Sequence, residues 1–387
     1  MQPLEYSGLE NYSAKMIASP HEILVWAAEQ DPVDERTQKI RAYLSSVNAI
    51  DHLIRMALKE GLAGSLYKCL LKTGLLDTLC PEDKQKLYHN YYLTIRRNLK
   101  FIYALKEILG HLNQNDIQVV LMQGISLIQE EYPDIGLRPM SDMDLWVLPY
   151  NRSNLIECLM DLGYKRNSIY PNTFVRGEIM LDIHTHVLWA DRIQSRSMLL
   201  HKSQEEIFNN SRKIHIDQTV ALRLNPQDQF LYLSMHALKH NLERLIWLVD
   251  IKILVSKWTP ADWKALIARA EELGLQVQAF YMLFVLRKIF DMEFPFEIQS
   301  NLAGWQPNFF ERWALSRRIK GSPSPAWSRL LLLAAGKDFR RKVAFVKETL
   351  FPRPEILRQV FPDASDSCDR RLYWKRVLQI LSSFKLN

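Results

Sequence analysis

Apolar residues recur every three or four positions through the first third of the chain. They then gather into short β-branched runs, and helical spacing returns later. His21 to Ala28, Asp34 to Ser45, Ile50 to Glu60 and Leu62 to Thr73 each read as helices, the first entered through Ser19-Pro20. A longer helix is predicted from Asp83 through Leu112, where Leu87, Tyr91, Ile95, Leu99, Ile102 and Leu105 trace one apolar face. The polar run Asn113 to Asp116 closes it.

The pattern changes at Ile117 to Met122, a short β-branched run that predicts a buried strand ending at Gly124. A helical turn or two follows from Ser126 to Glu131, then a loop from Pro133 to Met140. A second strand is expected from Asp142 to Leu148, and a helix from Asn151 to Leu162 with Gly163 at its C-terminus. Thr173 to Arg176 and Met180 to Leu188 predict a hairpin around Arg176-Gly177-Glu178. Helical spacing resumes at Asn225-Pro226, with Leu231, Met235, Leu238 and Leu242 as its apolar stripe. It continues through 245–255, 260–273 and 277–290, and a last helix is expected at 370–383. This order predicts an α+β protein with a small mixed sheet at its core. The expected organisation is an N-terminal helical region at 1–112, the α/β core at 113–222 and a C-terminal helical region at 223–387.

Composition narrows the class. Of 387 residues, 48% are hydrophobic and 24% charged, as in a globular protein that folds along most of its length. The start of the chain has no basic stretch followed by an apolar one, so no secretory signal is expected. The most apolar run, Leu245 to Val255, is too short to span a bilayer and holds Asp250 and Lys252. Cys69, Cys80, Cys158 and Cys368 are scattered, which predicts reduced thiols and a cytoplasmic location. The formal net charge is +7. From Lys337 onward twelve Lys/Arg face six Asp/Glu, so the basic excess is largely C-terminal. Such a tail is a candidate for peripheral contact with a membrane surface; nucleic acid is not expected as a partner.

Candidate chemistry concentrates in two predicted strands. Asp142 and Asp144 are two apart, so strand geometry points both carboxylates to one face. Asp182, in Leu181-Asp182-Ile183-His184, sits on another strand among apolar neighbours. Adjacent carboxylates repel in a dry setting, and divalent cations resolve that repulsion. The three form a candidate site for two Mg²⁺ ions, with Mn²⁺ as the alternative metal. Gly124, at a strand-to-helix junction, would let main-chain N–H groups approach phosphate. Ser126 would add a hydroxyl and Arg138 a bidentate clamp. His184 shares the face of Asp182. His236 and His240 share a helix face with zinc-compatible spacing, but Ala237 stands where a zinc protease carries Glu. A cleft-lining role for His236, Lys239, His240 and Asp250 fits better, with Lys239 meeting a triphosphate.

These residues resemble the pattern of the nucleotidyltransferase superfamily: an apolar residue, Gly, Gly or Ser, and later Asp, an apolar residue, and Asp or Glu. More closely, they resemble an uncharacterised bacterial nucleotidyltransferase family with the signature Lys-Gly, Tyr-Pro and Arg-Pro-Met-x-Asp-x-Asp-Leu. The corresponding residues are Gln123-Gly124, Tyr132-Pro133 and Arg138-Pro139-Met140-Ser141-Asp142-Met143-Asp144-Leu145. Asp182-Ile183-His184, His236 to His240 and Trp247 to Asp250 match its later features. The resemblance covers roughly residues 85 to 295. It implies transfer of a nucleoside monophosphate from an NTP, ATP included, to a small-molecule, sugar or protein acceptor. Two departures stand out: Gln123 replaces the usual Lys, and Ser126 lies one residue further from Gly124 than the superfamily pattern has it. They leave open a rival reading, a nucleotidyltransferase-fold binding or scaffold protein with impaired turnover.

Overall fold

The computed structural model describes residues 18–29, 34–46, 48–304, 307–325, 327–361 and 369–383. The N-terminal stretch weighed above as a signal, and Cys368, lie outside the described residues. The chain divides into two compact units. One is drawn from the chain up to Arg97 together with Asp134–Pro139 and Arg244–Val249. The other takes Asn98–Pro133, Met140–Glu243 and the chain from Asp250 on.

The first unit is helical: Pro20–Glu29, Asp34–Leu44, Ala49–Glu60, Ala63–Lys72 and the first half of Pro81–Gln114. In Ala49–Glu60 the residues Leu53, Ile54 and Ala57 are buried, the spacing of a single helix face. Asp134–Pro139 threads into this unit because two glycines leave room for it. A Cβ on Gly136 would collide with the Tyr91 ring, and one on Gly64 with the Gly136 carbonyl. Asp134 anchors the segment, accepting from the Tyr91 hydroxyl at 2.6 Å and pairing with Lys68 at 3.2 Å.

The second unit holds a seven-stranded mixed sheet: β1 (Val120–Met122), β2 (Met143–Trp146), β3 (Lys165–Arg166), β4 (Thr173–Arg176), β5 (Ile179–His184), β6 (Arg212–Ile216) and β7 (Thr219–Arg223). Their order is β3-β4-β5-β2-β1-β7-β6. β1 and β2 run antiparallel, while β2 pairs with β5 and β1 with β7 in parallel. In β5, Ile179, Leu181 and Ile183 are buried, while Met180, Asp182 and His184 are half-buried. This alternation places Asp182 and His184 on one face.

The α+β architecture expected from the pattern is present, with a wider sheet than the pattern indicated. The predicted strand from Ile117 begins only at Val120, and the helix expected at Ser126 begins at Gln123. β3, β6 and β7 were not predicted. β3 is two residues long, and β6 opens on exposed Arg212 and Lys213. β7 lies inside the sheet yet ends on Arg223, 1% exposed. Its guanidinium pairs with Glu130 and Glu131 at the end of the helix Gln123–Glu130.

Helices Pro226–Lys239, Pro260–Leu273 and Gln276–Phe290 pack together beyond the sheet. The first is capped as predicted, Asn225 accepting from the Asp228 N–H at 2.9 Å with Pro226 at its first position. Among the described residues no helix is long and apolar enough to cross a membrane.

Candidate active site

The parallel pairing of β2 with β5 sets Asp144 opposite Asp182 and Trp146 opposite His184. Paired residues on parallel strands share a face, so Asp144, Asp182 and His184 stand on the same side of the sheet. Asp142 precedes β2 by one residue, and its charge interacts with both other aspartates. Burial, then the neighbouring charge of Asp144, then that of Asp182 push its carboxyl up to about 6. Asp182 is also raised, by burial first and by Asp144, against a hydrogen bond from Thr173. Three acidic groups thus crowd one half-buried patch.

Each carboxylate has a local partner. Ser141 donates to Asp142 at 2.8 Å and Thr173 to Asp182 at 2.5 Å. His184 Nε2 lies 2.8 Å from Asp144 Oδ1. Burial disfavours the charged imidazole, but the Asp144 hydrogen bond and charge outweigh it and raise His184. Among the described residues, no three His, Cys, Asp or Glu side chains form a ready set of metal ligands. Asp144 and Asp182 share a face, while the oxygens of the three carboxylates are turned to Ser141, His184 and Thr173.

The helix Pro226–Lys239 faces this patch. The Tyr232 hydroxyl is buried without a hydrogen-bond partner; burial and the charges of Asp144 and Asp142 hold it strongly protonated. Its side chain also faces Gln123, the residue that follows β1 and opens the helix Gln123–Glu130, whose φ is 49°. Left-handed backbone is uncommon for a residue with a side chain, and it recurs where a site imposes it. Seven residues beyond Tyr232 on the helix, Lys239 places its Nζ 3.9 Å from the Trp189 ring centroid. Burial and Arg196 bring its ammonium down to about 7, while Asp144 pulls the other way.

Other predicted residues stand elsewhere. Gly124 lies in the first turn of the helix after β1. Ser126 is wholly buried in that helix, its hydroxyl without a hydrogen-bond partner. Arg138 belongs to the other compact unit, where it is buried and donates to the Pro139 carbonyl at 2.6 Å. Asp250 accepts from the Tyr132 hydroxyl at 2.6 Å in a buried pair, a packing role. His236 and His240 lie ring to ring at 4.8 Å, and burial with Lys239 drives His240 down to about 3. A cavity of about 560 Å³ lined by Asn113, Lys213 and His215 includes none of the three aspartates.

The family described as uncharacterised nucleotidyltransferase matches residues 46–291, more than half of the chain. The chain belongs to that family. The match spans β1, β2 and β5, and the helix carrying Tyr232 and Lys239. No curated protein and no solved structure matches the chain. In this chain, four residues beside the patch escaped the sequence reading: Trp189, Arg192, Arg196 and Tyr232. Tyr232 offered one faint signal, since Tyr232, His236 and Lys239 follow one another at spacings of four and three, along one helix face. The other three sit in an irregular segment with no period to read.

Proposed function

We propose that the protein transfers a nucleoside monophosphate from a nucleoside triphosphate to an acceptor hydroxyl on a small molecule, sugar or protein. The acceptor oxygen forms a bond to the α-phosphorus, the α–β bridging P–O bond breaks, and pyrophosphate leaves. The observation that carries this reading is the register of Asp144 against Asp182, with Asp142 crowded beside them.

The donor set suits divalent metal. Asp144 and Asp182 on one face with Asp142 beside them, the Asp142 and Asp182 carboxyls raised by burial and by neighbouring charge, are the environment that a hard cation relieves. Asp142 and Asp144 would hold both ions and Asp182 the second. Their hydrogen bonds to Ser141, His184 and Thr173 would be exchanged for metal bonds. Mg²⁺ or Mn²⁺, when bound, supplies charge neutralisation and a more acidic acceptor hydroxyl. Asp182 would also help take the acceptor's proton. The N–H groups opening the helix at Gly124 would receive phosphate oxygens, and Lys239 would oppose the triphosphate charge.

A second reading, a binding protein with impaired turnover, is favoured by Gln123 in the usual Lys position and by the local partners of the carboxylates. One experiment separates the two. The full chain is incubated with Mg²⁺, each α-labelled NTP and a cell lysate, and melting is followed in parallel. Turnover predicts label on an acceptor and a melting temperature raised by one NTP only with Mg²⁺, both lost in Asp144→Asn. Stabilisation without label would favour the binding protein. Neither effect with any NTP would overturn both readings.

A further inference from the structure

Beside the carboxylates lies a group of cations that no acidic side chain neutralises by direct contact. After β5 the chain runs through Trp189 and Asp191 into a short 3-10 helix, Gln194–Leu199. This segment is fixed in place: the Gln194 and Ser195 N–H groups donate to the two carboxylate oxygens of Glu348 at 2.8 and 2.7 Å. Arg353 donates to the Asp191 carbonyl at 3.0 Å. Arg196 thereby points its Nε into the interior, where it has no hydrogen-bond partner.

Arg329 lies in the first turn of the helix Ser328–Ala334, which packs on the helix that ends at Lys239. Burial first, then the charges of Arg192 and Arg329, bring Arg196 down to about 10. Arg192 and Arg196 likewise disfavour the charge on Lys239. Among the described residues none of Arg192, Arg196, Lys239 and Arg329 forms a salt bridge, though Lys239 lies over Trp189. Of the nearby acids, Glu348 accepts from main-chain N–H groups and Asp191 accepts one hydrogen bond, from Asn172 at 2.9 Å; both favour the charge on Arg196, and Asp191 that on Lys239, without forming a salt bridge to either. The cluster also adjoins the acidic patch, since Arg192 acts on Asp182 and Asp144 on Lys239.

Gathering like charges in a half-buried place destabilises a protein unless an anion joins them. We propose that Arg192, Arg196, Lys239 and Arg329 form a pocket for a phosphate-bearing group, set against the three aspartates. Guanidinium groups meet phosphate oxygens bidentately, and Lys239 adds a point charge. The group is either the β,γ-phosphates of the nucleotide, whose departure as pyrophosphate such cations would ease, or a phosphate on the acceptor. The pocket's place in catalysis rests on the nucleotidyl-transfer reading; its capacity for phosphate does not.

The test is calorimetric titration of the full chain with tripolyphosphate in EDTA. Binding is expected, with at least tenfold weaker affinity in Arg196→Gln and in Arg329→Gln. Exposed Arg340→Gln should bind as the unmodified protein does. Loss of a repelling cation should leave the melting temperature of both pocket variants equal or higher, so a folding defect is not expected to confuse the result. Competition between ATP and tripolyphosphate would assign the pocket to the donor; simultaneous binding would assign it to a phosphorylated acceptor. Affinity unchanged in Arg196→Gln, or equally reduced in Arg340→Gln, would overturn the proposal even if label transfer were found. Arg196-dependent binding in a protein that transfers no label would leave the pocket standing and remove the transfer reading alone.

Discussion

Lys239 shows how a single residue reports its surroundings. Its ammonium lies half-buried over Trp189, repelled by Arg196 and Arg192 and attracted by Asp144 and Asp191. Burial first, and then these charges, bring it down to about 7, whereas an unfolded chain holds lysine at about 10.4. Below about 7 the folded protein carries the full cost of that charge. As pH rises through the window between the two values, only the unfolded chain keeps the proton, so this group's penalty fades. Lys239→Met should therefore melt higher than the unmodified protein at pH 6 without ligand, and the gap should shrink toward pH 10. Melting curves across that range check it; a gap that stays constant would show that Lys239 is not the source. The acidic residues were the easiest to read from sequence because period two alone puts Asp142 and Asp144 on one face. Tyr232 and Arg196 were hard to read, since a buried hydroxyl and a loop guanidinium gain meaning only from neighbours far away in the chain.

Among the elements, long helices were legible and short strands less so. Pro81–Gln114 and Pro226–Lys239 announce themselves by apolar spacing and by Pro at the start. β7 does not, because its buried Arg223 reads as a surface residue until Glu130 and Glu131 are seen against it. The 3-10 helix Gln194–Leu199 had no sequence signature, and a distant carboxylate holds it. Hydrogen bonds to a charged acceptor contribute roughly 2 kcal/mol, so Glu348→Ala should release the start of this element. Amide exchange at Gln194 and Ser195 should quicken at least tenfold, while exchange in β2 and β5 stays the same. Unchanged exchange at both amides would mean that Glu348 does not anchor the segment. Weaker tripolyphosphate binding in the same variant is expected, because Arg196 rides on that helix.

At the scale of the whole molecule, each compact unit is assembled from separated stretches of chain, a feature that local periodicity could not reveal. Asp134–Pro139 and Arg244–Val249 join the helical unit although they flank or interrupt the α/β core in sequence. The family match, 46–291, draws on both units. Within the second unit, a mixed sheet brings residues 144 and 182 to one face through a parallel pairing of β2 with β5, with Asp142 one residue before β2. That shared face underlies the proposed chemistry. Its most direct test is Mn²⁺ binding to the full chain, measured by electron paramagnetic resonance with a non-hydrolysable NTP analogue present. The account predicts bound Mn²⁺ in the unmodified protein, with large loss in Asp144→Asn and in Asp182→Asn. Equal binding in those variants, or no binding in the unmodified protein, would contradict it.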